Sequence, residues 1–412
     1  MKIALLGFGT RGDVQPYVAL GKALKARGHD ILLGAPDNFN DWVEEHGLKF
    51  HGLGIDMEAF LQSPEIRRVM AGNWFALAKI WRQTIHPMVL NLLENTWEAG
   101  KDADVIVYHP KVVGATDVSE ATGARLVCAA PIPLFPTGEF PLLMPKRNFG
   151  ARLNRFTYNG YYLARPPYLK IINRWRSESL GLGKGPALAP LGGHKGGMAT
   201  RICAVSPSVI PRPDDWGENM HMTGYWFLDE GHGWSPNPAL ADFLNAGDPP
   251  VYIGFGSMTT QRPGHLARQI VEGVRRAGVR ALLATGWGGL EELDVPGTVH
   301  VIEGAPHDAL FRHVSAVVHH GGAGTTAAGL RAGRPTLVCP LSVDQPFWGH
   351  RVWALGCGPE PQRLKRLTAD SFARGLEGLV QTDSYRTRAA DIARSIANED
   401  GIGRAIEIIT GG

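Results

Sequence analysis

The densest chemical pattern in the sequence is Val317-Val318-His319-His320-Gly321-Gly322-Ala323-Gly324-Thr325-Thr326-Ala327-Ala328, an apolar run that enters a glycine-rich turn and then small helix-forming residues. Glycines let a backbone approach a ligand closely, and the unbonded N–H groups of a first helical turn attract an anion. A phosphate or diphosphate suits such a turn. No lysine follows the glycines, so this is not a P-loop. His320, at the strand exit, can donate a hydrogen bond to a phosphate oxygen, or it can be a structural histidine. Downstream, Pro340 to Trp348 places Asp344 and Gln345 after the next strand. Adjacent carboxylate and amide groups exchange hydrogen bonds with a polyhydroxyl ligand. A phosphate cradle followed by a hydroxyl reader points to a nucleotide sugar.

At the other end of the chain, Gly7-Phe8-Gly9-Thr10-Arg11-Gly12 spells G-x-G-x-x-G after a strand. A dinucleotide site also needs an acid about 20 residues on, to hold the ribose hydroxyls. The second strand ends Leu33-Gly34-Ala35-Pro36 without one, and Pro16 rather than Gly12 is expected to open the helix. The loop does offer Asp13, a carboxylate at the C-terminal end of the first strand, where open α/β sheets bind ligands. Its alternative role is a helix N-cap. Asp102-Ala103-Asp104 has the D-x-D form of a metal-binding carboxylate pair, but it precedes its strand and reads as a solvated turn.

These residues need strands and helices to place them. Short apolar runs at Lys2 to Gly7, Ile31 to Leu33, Asp104 to Tyr108 and Arg125 to Ala129 alternate with helix-length segments. The same grammar restarts at Pro250 to Phe255, Ala281 to Thr285, Val299 to Ile302, Ala316 to His319 and Thr336 to Cys339. Alternation of this kind predicts α/β architecture, with parallel sheets covered by helices on both faces. Two doubly wound domains are expected: 1–225, a linker at 226–238 with two glycines and two prolines, and 239–385. Residues 386–412 are expected to form a helical segment that crosses back to the N-terminal domain.

Composition narrows the function. The chain has 412 residues, 44% apolar and 20% charged, as a folded globular protein does, so disordered and fibrous classes are excluded. A net charge of +3 over that length is far from the concentrated cation density that nucleic acid requires. Four dispersed cysteines form no C-x-x-C pair, which fits reduced thiols and a cytoplasmic setting. No apolar run approaches the ~18 residues of a membrane span, and the opening apolar stretch is too short for a signal peptide. One segment stands apart: Met144 to Arg176 has eight basic residues and no acid, interleaved with Phe149, Phe156, Tyr158, Tyr161, Tyr162, Tyr168 and Trp175. It suits a helical insertion with packed aromatics and solvated cations, or peripheral contact with an anionic membrane surface.

With these residues assembled, the chain resembles the family 1 glycosyltransferases of the GT-B fold, most closely their sterol 3-β-glucosyltransferase branch. The resemblance is carried by Gly9 to Pro16, Tyr252 to Ser257, Gly286 to Leu290, Pro306-His307-Asp308, His319 to Gly329 and Asp344 to Gly349. It implies two Rossmann-like domains facing across a cleft, and transfer of glucose from UDP-glucose to a sterol or similar hydrophobic hydroxyl with inversion. Asp13 matches the catalytic base. Donor binding is implied for Gly12, Ser257, Trp287, Pro306, His307, His320, Gly322, Gly324, Thr325, Asp344 and Gln345, with no cofactor and no metal. Ala305 stands where some relatives stack a tryptophan on the base. The acceptor is expected in the N-terminal half, near Trp74, Phe75, Trp81, Met88, Phe135 and Phe140, and a natural-product glycosyltransferase using another sugar is the alternative.

Overall fold

The computed structural model describes residues 1–63, 84–143, 148–161, 166–186, 193–194, 197–256, 263–286, 295–341 and 344–411. In the N-terminal half, β1 (Lys2–Leu6), β2 (Asp30–Ala35), β3 (Lys49–Gly52), β4 (Val105–Tyr108), β5 (Arg125–Ala130), β6 (Thr200–Cys203) and β7 (Met220–Met222) form one parallel sheet. Its order is β3-β2-β1-β4-β5-β6-β7. In the C-terminal half, β8 (Val251–Gly254), β9 (Ala281–Ala284), β10 (Val299–Ile302), β11 (Ala316–His319) and β12 (Thr336–Val338) form a second, ordered β10-β9-β8-β11-β12 and again parallel.

The apolar runs explain both sheets. Side chains alternate faces along a strand. Ala4 and Leu6 therefore enter one core with Ile106, Leu126 and Cys128, while Ile3 and Leu5 enter another with Val105, Val107 and Val127. A strand buried on both faces reads as a continuous apolar run rather than an alternating one. Full burial of one such Leu or Val stabilises the fold by about 1.5–3 kcal/mol.

The strand order fixes where ligands bind. In each sheet the winding reverses once, between β1 and β4 and between β8 and β11. Chain leaving two such strands diverges to opposite faces, which opens a crevice at their C-terminal ends. Asp13 follows β1, and His320 follows β11. The Asp102-Ala103-Asp104 turn lies at the opposite edge, where the Asp104 carboxylate accepts the Lys2 N–H at 2.8 Å.

The helices that matter here are α1 (Arg11–Ala26), α2 (His86–Gly100), α3 (Ala115–Thr122), α4 (Leu169–Glu178), α5 (Ala323–Arg331), α6 (Gln345–Ala354), α7 (Asp383–Ala397) and α8 (Gly401–Thr410). Helix α1 corrects the sequence reading, because it starts at Arg11 and contains Pro16. Proline gives up only its own N–H bond, to the carbonyl of Gly12, and a residue without a side chain in an exposed first turn tolerates the ring's crowding. Asp13 is therefore the third residue of the helix, with Thr10 as its N-cap.

Two segments bind the halves together. In the first, Glu230 accepts hydrogen bonds from Arg11, Gln15 and Trp42 of the N-terminal half, while the neighbouring Gly231 N–H donates to Asp308 of the C-terminal half at 2.8 Å. In the second, α7 packs on α5, and α8 returns to α1, placing Ala405, Ile406 and Ile409 among Leu5, Leu20 and Leu24. Among the described residues an apolar cluster runs between the halves, joining Val209, Ile210 and Tyr225 to Phe347, Trp348 and Ile392.

The basic and aromatic segment is helical over Ala151–Thr157 and α4. Tyr158 and Trp175 are buried, whereas Phe149, Leu153 and Phe156 are exposed. Arg176 departs from the expectation of solvated cations. It is buried and bonded to Asp117 and Glu120 of α3.

Candidate active site

The loop after β1 is shaped around Asp13. Its Oδ2 accepts from the Thr10 N–H at 3.0 Å and lies 3.3 Å from the Thr10 hydroxyl. This is the return half of a capping box, so the same carboxylate closes the helix start and faces the cleft. Gly9 makes room for it: φ is +139°, and a Cβ there would lie 2.1 Å from Asp13 Oδ2. The other oxygen, Oδ1, accepts from Lys111 Nζ at 2.8 Å and lies 3.5 Å from His109 Nε2. Both partners come from the loop after β4, the strand on the other side of the switch point.

Across the cleft, the turn after β11 is tight and glycine-rich and leads directly into a helix. Gly321 has φ +94°, and a Cβ there would press 2.7 Å from Val338 Cγ1 and 2.9 Å from the Gln345 carbonyl. Helix α5 follows with Gly322 at its N-cap and no capping side chain. Its first intrahelical bond runs from the Thr326 N–H to the Gly322 carbonyl at 2.9 Å. The N–H groups of Ala323, Gly324 and Thr325 are thus those a helix start leaves for a ligand. The ring of His320 lies between this helix start and the end of β8: a Cβ on Gly322 would meet its Nε2, and one on Gly256 would lie 3.5 Å from its Cε1. His320 Nδ1 is buried and makes no hydrogen bond among the described residues.

Asp344 sits at the N-cap position of α6, and its Oδ2 accepts from Trp348 Nε1 at 3.0 Å. Burial raises its pKa, and the charge of Asp13 on the facing half raises it further, which places the two carboxylates in one electrostatic neighbourhood. Gln345 is buried, and its Oε1 accepts the Leu341 N–H at 2.8 Å, so it braces the loop that carries Asp344. His307 opens the short helix His307–Leu310, whose N-cap is Pro306, and stacks on Phe311 with ring centroids 4.5 Å apart.

The structure therefore brings Gly12, Asp13, Pro306, His307, His320, Gly322, Gly324, Thr325, Asp344 and Gln345 to the facing edges of the two sheets. Ser257, Trp287, Trp74, Phe75 and Trp81 lie outside the described residues. Among the acceptor residues, Phe140 is half-buried and reaches Phe347 of α6, ring centroids 6.5 Å apart, at the junction of the halves. Met88 is half-buried against the same apolar cluster. Phe135 is fully buried against Trp216, so it packs the core rather than lining an open pocket. His109 and Lys111 were missed by the sequence reading. The signal was their position, immediately past the strand that neighbours β1.

Three histidines of the site are held neutral. Burial pushes His307 and His320 down to about 4, with the Arg11 cation adding to the effect at His307, and burial likewise pushes His109 to about 4. An unfolded chain binds protons at these rings near 6.5. Between pH 6.5 and 4 the unfolded state therefore holds more protons than the fold, and stability falls as the pH is lowered through that window. Calorimetry should show the melting temperature dropping across this range, with His307→Phe, which keeps the stack on Phe311, flattening the slope. A slope unchanged by that substitution would remove His307 from the account.

These two facing parallel sheets, each flanked by helices, have the architecture of the GT-B glycosyltransferase fold. The whole chain matches the crystal structure of the calicheamicin glycosyltransferase CalG4 with a TM-score of 0.71 at 17% identity, covering 97% of that chain. It belongs to the glycosyltransferases that join a glycosyltransferase family 28 N-terminal domain, matched by residues 3–137, to an erythromycin biosynthesis protein CIII-like C-terminal domain, matched by residues 288–401. A sterol 3-beta-glucosyltransferase of Neosartorya fischeri is 35% identical over 99% of this chain, and one of Arabidopsis thaliana is 34% identical over 99%. The chain spans 29% of the length of the first and 65% of the second.

Proposed function

We propose that this protein is an inverting glycosyltransferase that moves glucose from UDP-glucose to the hydroxyl of a sterol or similar hydrophobic alcohol, giving a β-glucoside. The observation that carries this reading is the opposition of Asp13 on one half to the uncapped start of α5, His320 and Asp344 on the other. Similarity along 99% of this chain to proteins named sterol 3-beta-glucosyltransferase supports the choice of sugar and acceptor class.

In this reading the acceptor oxygen forms a bond to the anomeric carbon as the bond from that carbon to the diphosphate breaks. The hydroxyl proton passes to Asp13, and the electron pair leaves with UDP. The growing negative charge meets the N–H groups of Ala323, Gly324 and Thr325, which are fixed before the reaction begins and need no reorganisation. Neutral His320 serves as a hydrogen-bond donor there rather than as a cation. Asp344 receives sugar hydroxyls, while the Pro306 and His307 segment turns toward the nucleoside. Attack from the face opposite the diphosphate inverts an α-linked donor.

The match to the erythromycin biosynthesis protein CIII-like domain favours, as a second reading, a natural-product acceptor and another sugar. Mass analysis of products from UDP-glucose with cholesterol separates the two. A hexose increment on the sterol supports the first reading, and an increment only on polyketide acceptors supports the second.

No helix among the described residues is long and apolar enough to cross a membrane. Exposed Phe149, Leu153 and Phe156 share their segment with Arg152 and Arg155, which supports peripheral docking on an anionic bilayer where such an acceptor would reside. Co-sedimentation with phosphatidylglycerol vesicles, lost in Phe156→Ser, is the expected result; equal sedimentation of both proteins would refute the docking.

A further inference from the structure

Beside Asp13 lies a histidine that the reaction as drawn does not use. His109 is the first residue after β4 and is wholly buried. Its Nδ1 accepts the Lys111 N–H at 3.1 Å, which places the ring proton on Nε2. That Nε2–H has no hydrogen-bond partner among the described residues, and it stands 3.5 Å from Asp13 Oδ1. A buried donor without a partner costs free energy. Catalytic hydrogen bonds are often long before substrate closes the site and tighten in the loaded enzyme.

Lys111 Nζ holds the same oxygen at 2.8 Å, but its side chain is 47% exposed and can leave for solvent. Oδ1 has two lone pairs to offer. An acceptor hydroxyl that arrives at Oδ1 needs one of them, and the lysine is the partner free to yield it.

We infer that His109 is the positioning residue of the catalytic base: when donor and acceptor are bound, its Nε2–H bonds Asp13 Oδ1 and fixes the carboxylate while Lys111 gives way to the acceptor hydroxyl. Burial keeps the ring neutral at pH 7. A neutral donor orients the carboxylate without adding a positive charge that would oppose its protonation. The inference rests on Asp13 acting as base in the reaction proposed above.

The test compares His109→Leu, which removes the donor from an apolar site, with His109→Gln, whose amide can return an N–H. His109→Leu should lower kcat about 10- to 100-fold while leaving the KM for UDP-glucose within about threefold, and His109→Gln should recover most of the loss. Unchanged kcat in His109→Leu, or equal loss in both variants, overturns the inference. Nitrogen-15 NMR of the wild-type imidazole provides a readout independent of variant folding. Its Nε2–H proton should move downfield when UDP and cholesterol bind together, and an unmoved signal in protein saturated with both overturns the proposal. Absence of glucose transfer by wild type would instead defeat the functional reading itself, so the two failures are distinguishable.

Discussion

Asp13→Asn leaves the protein folded and able to bind UDP-glucose, and slows glucosyl transfer about 10²- to 10⁴-fold, the range a general base supplies. The substitution preserves size, and the amide oxygen can still accept the Thr10 N–H that ties the α1 start. What is lost is a site that can take the acceptor's proton. Donor binding should survive because the groups assigned to it stand on the other half, at the α5 start, His320, His307 and Asp344. His320→Ala should show the reverse emphasis, weakening UDP binding with a smaller effect on the chemical step. Titration calorimetry with UDP alongside initial rates checks both. Loss of UDP affinity in Asp13→Asn equal to its loss of rate would defeat this division of labour between the halves.

The placement of these residues on two facing halves was legible in the sequence because both sets sit at strand exits. The runs at Lys2, Val105, Val251 and Ala316 announce themselves as strands, being apolar on both faces. The glycines after β1 and β11 follow from the close approaches at Gly9 and Gly321, which allow no side chain. The missing information was tertiary. Lys49–Gly52 has no fully buried side chain, so β3 gives no apolar run to read. Pro16 suggested a helix start because its missing N–H usually sits in a first turn, and only the structure shows Thr10 in that role. His109 follows Val-Ile-Val-Tyr without a motif of its own, and its meaning comes from the switch point that sets β4 beside β1. Arg176 looked like one more surface cation in a basic stretch, since nothing local in sequence names Asp117 and Glu120, 59 and 56 residues away, as its partners.

Arg176 is accordingly a residue whose loss should cost much stability. Its side chain is 3% exposed, and it bonds Asp117, itself 2% exposed, while Glu120 Oε2 accepts from it at 3.0 Å. Removing one member of a buried ion pair weakens the compensation of the other charge, and a loss of this kind destabilises by about 3–5 kcal/mol. Arg176→Met should therefore lower the melting temperature of the N-terminal half by about 6–20 °C. The same principle makes a sharper expectation for the double variant. Arg176→Met with Asp117→Leu removes both charges and fills the site with apolar atoms, and replacing a buried pair in this way is often neutral or stabilising. Glu120, the more exposed of the two acids, can turn to solvent. Most of the lost stability should return in the double variant, measured by calorimetry, because the penalty lies in keeping the Asp117 charge buried and not in the absence of an attraction. If the double variant melts as low as Arg176→Met, the arginine stabilises the fold through its packing and its bond to the Gly183 carbonyl at 2.8 Å. A functional consequence follows from where α3 lies. Its N-cap, Gly114, packs against Trp175 of α4 and stands three residues after Lys111. The clamp between α3 and α4 thus supports the loop that presents His109 and Lys111 to Asp13, so Arg176→Met should lose activity at a lower temperature than its calorimetric midpoint.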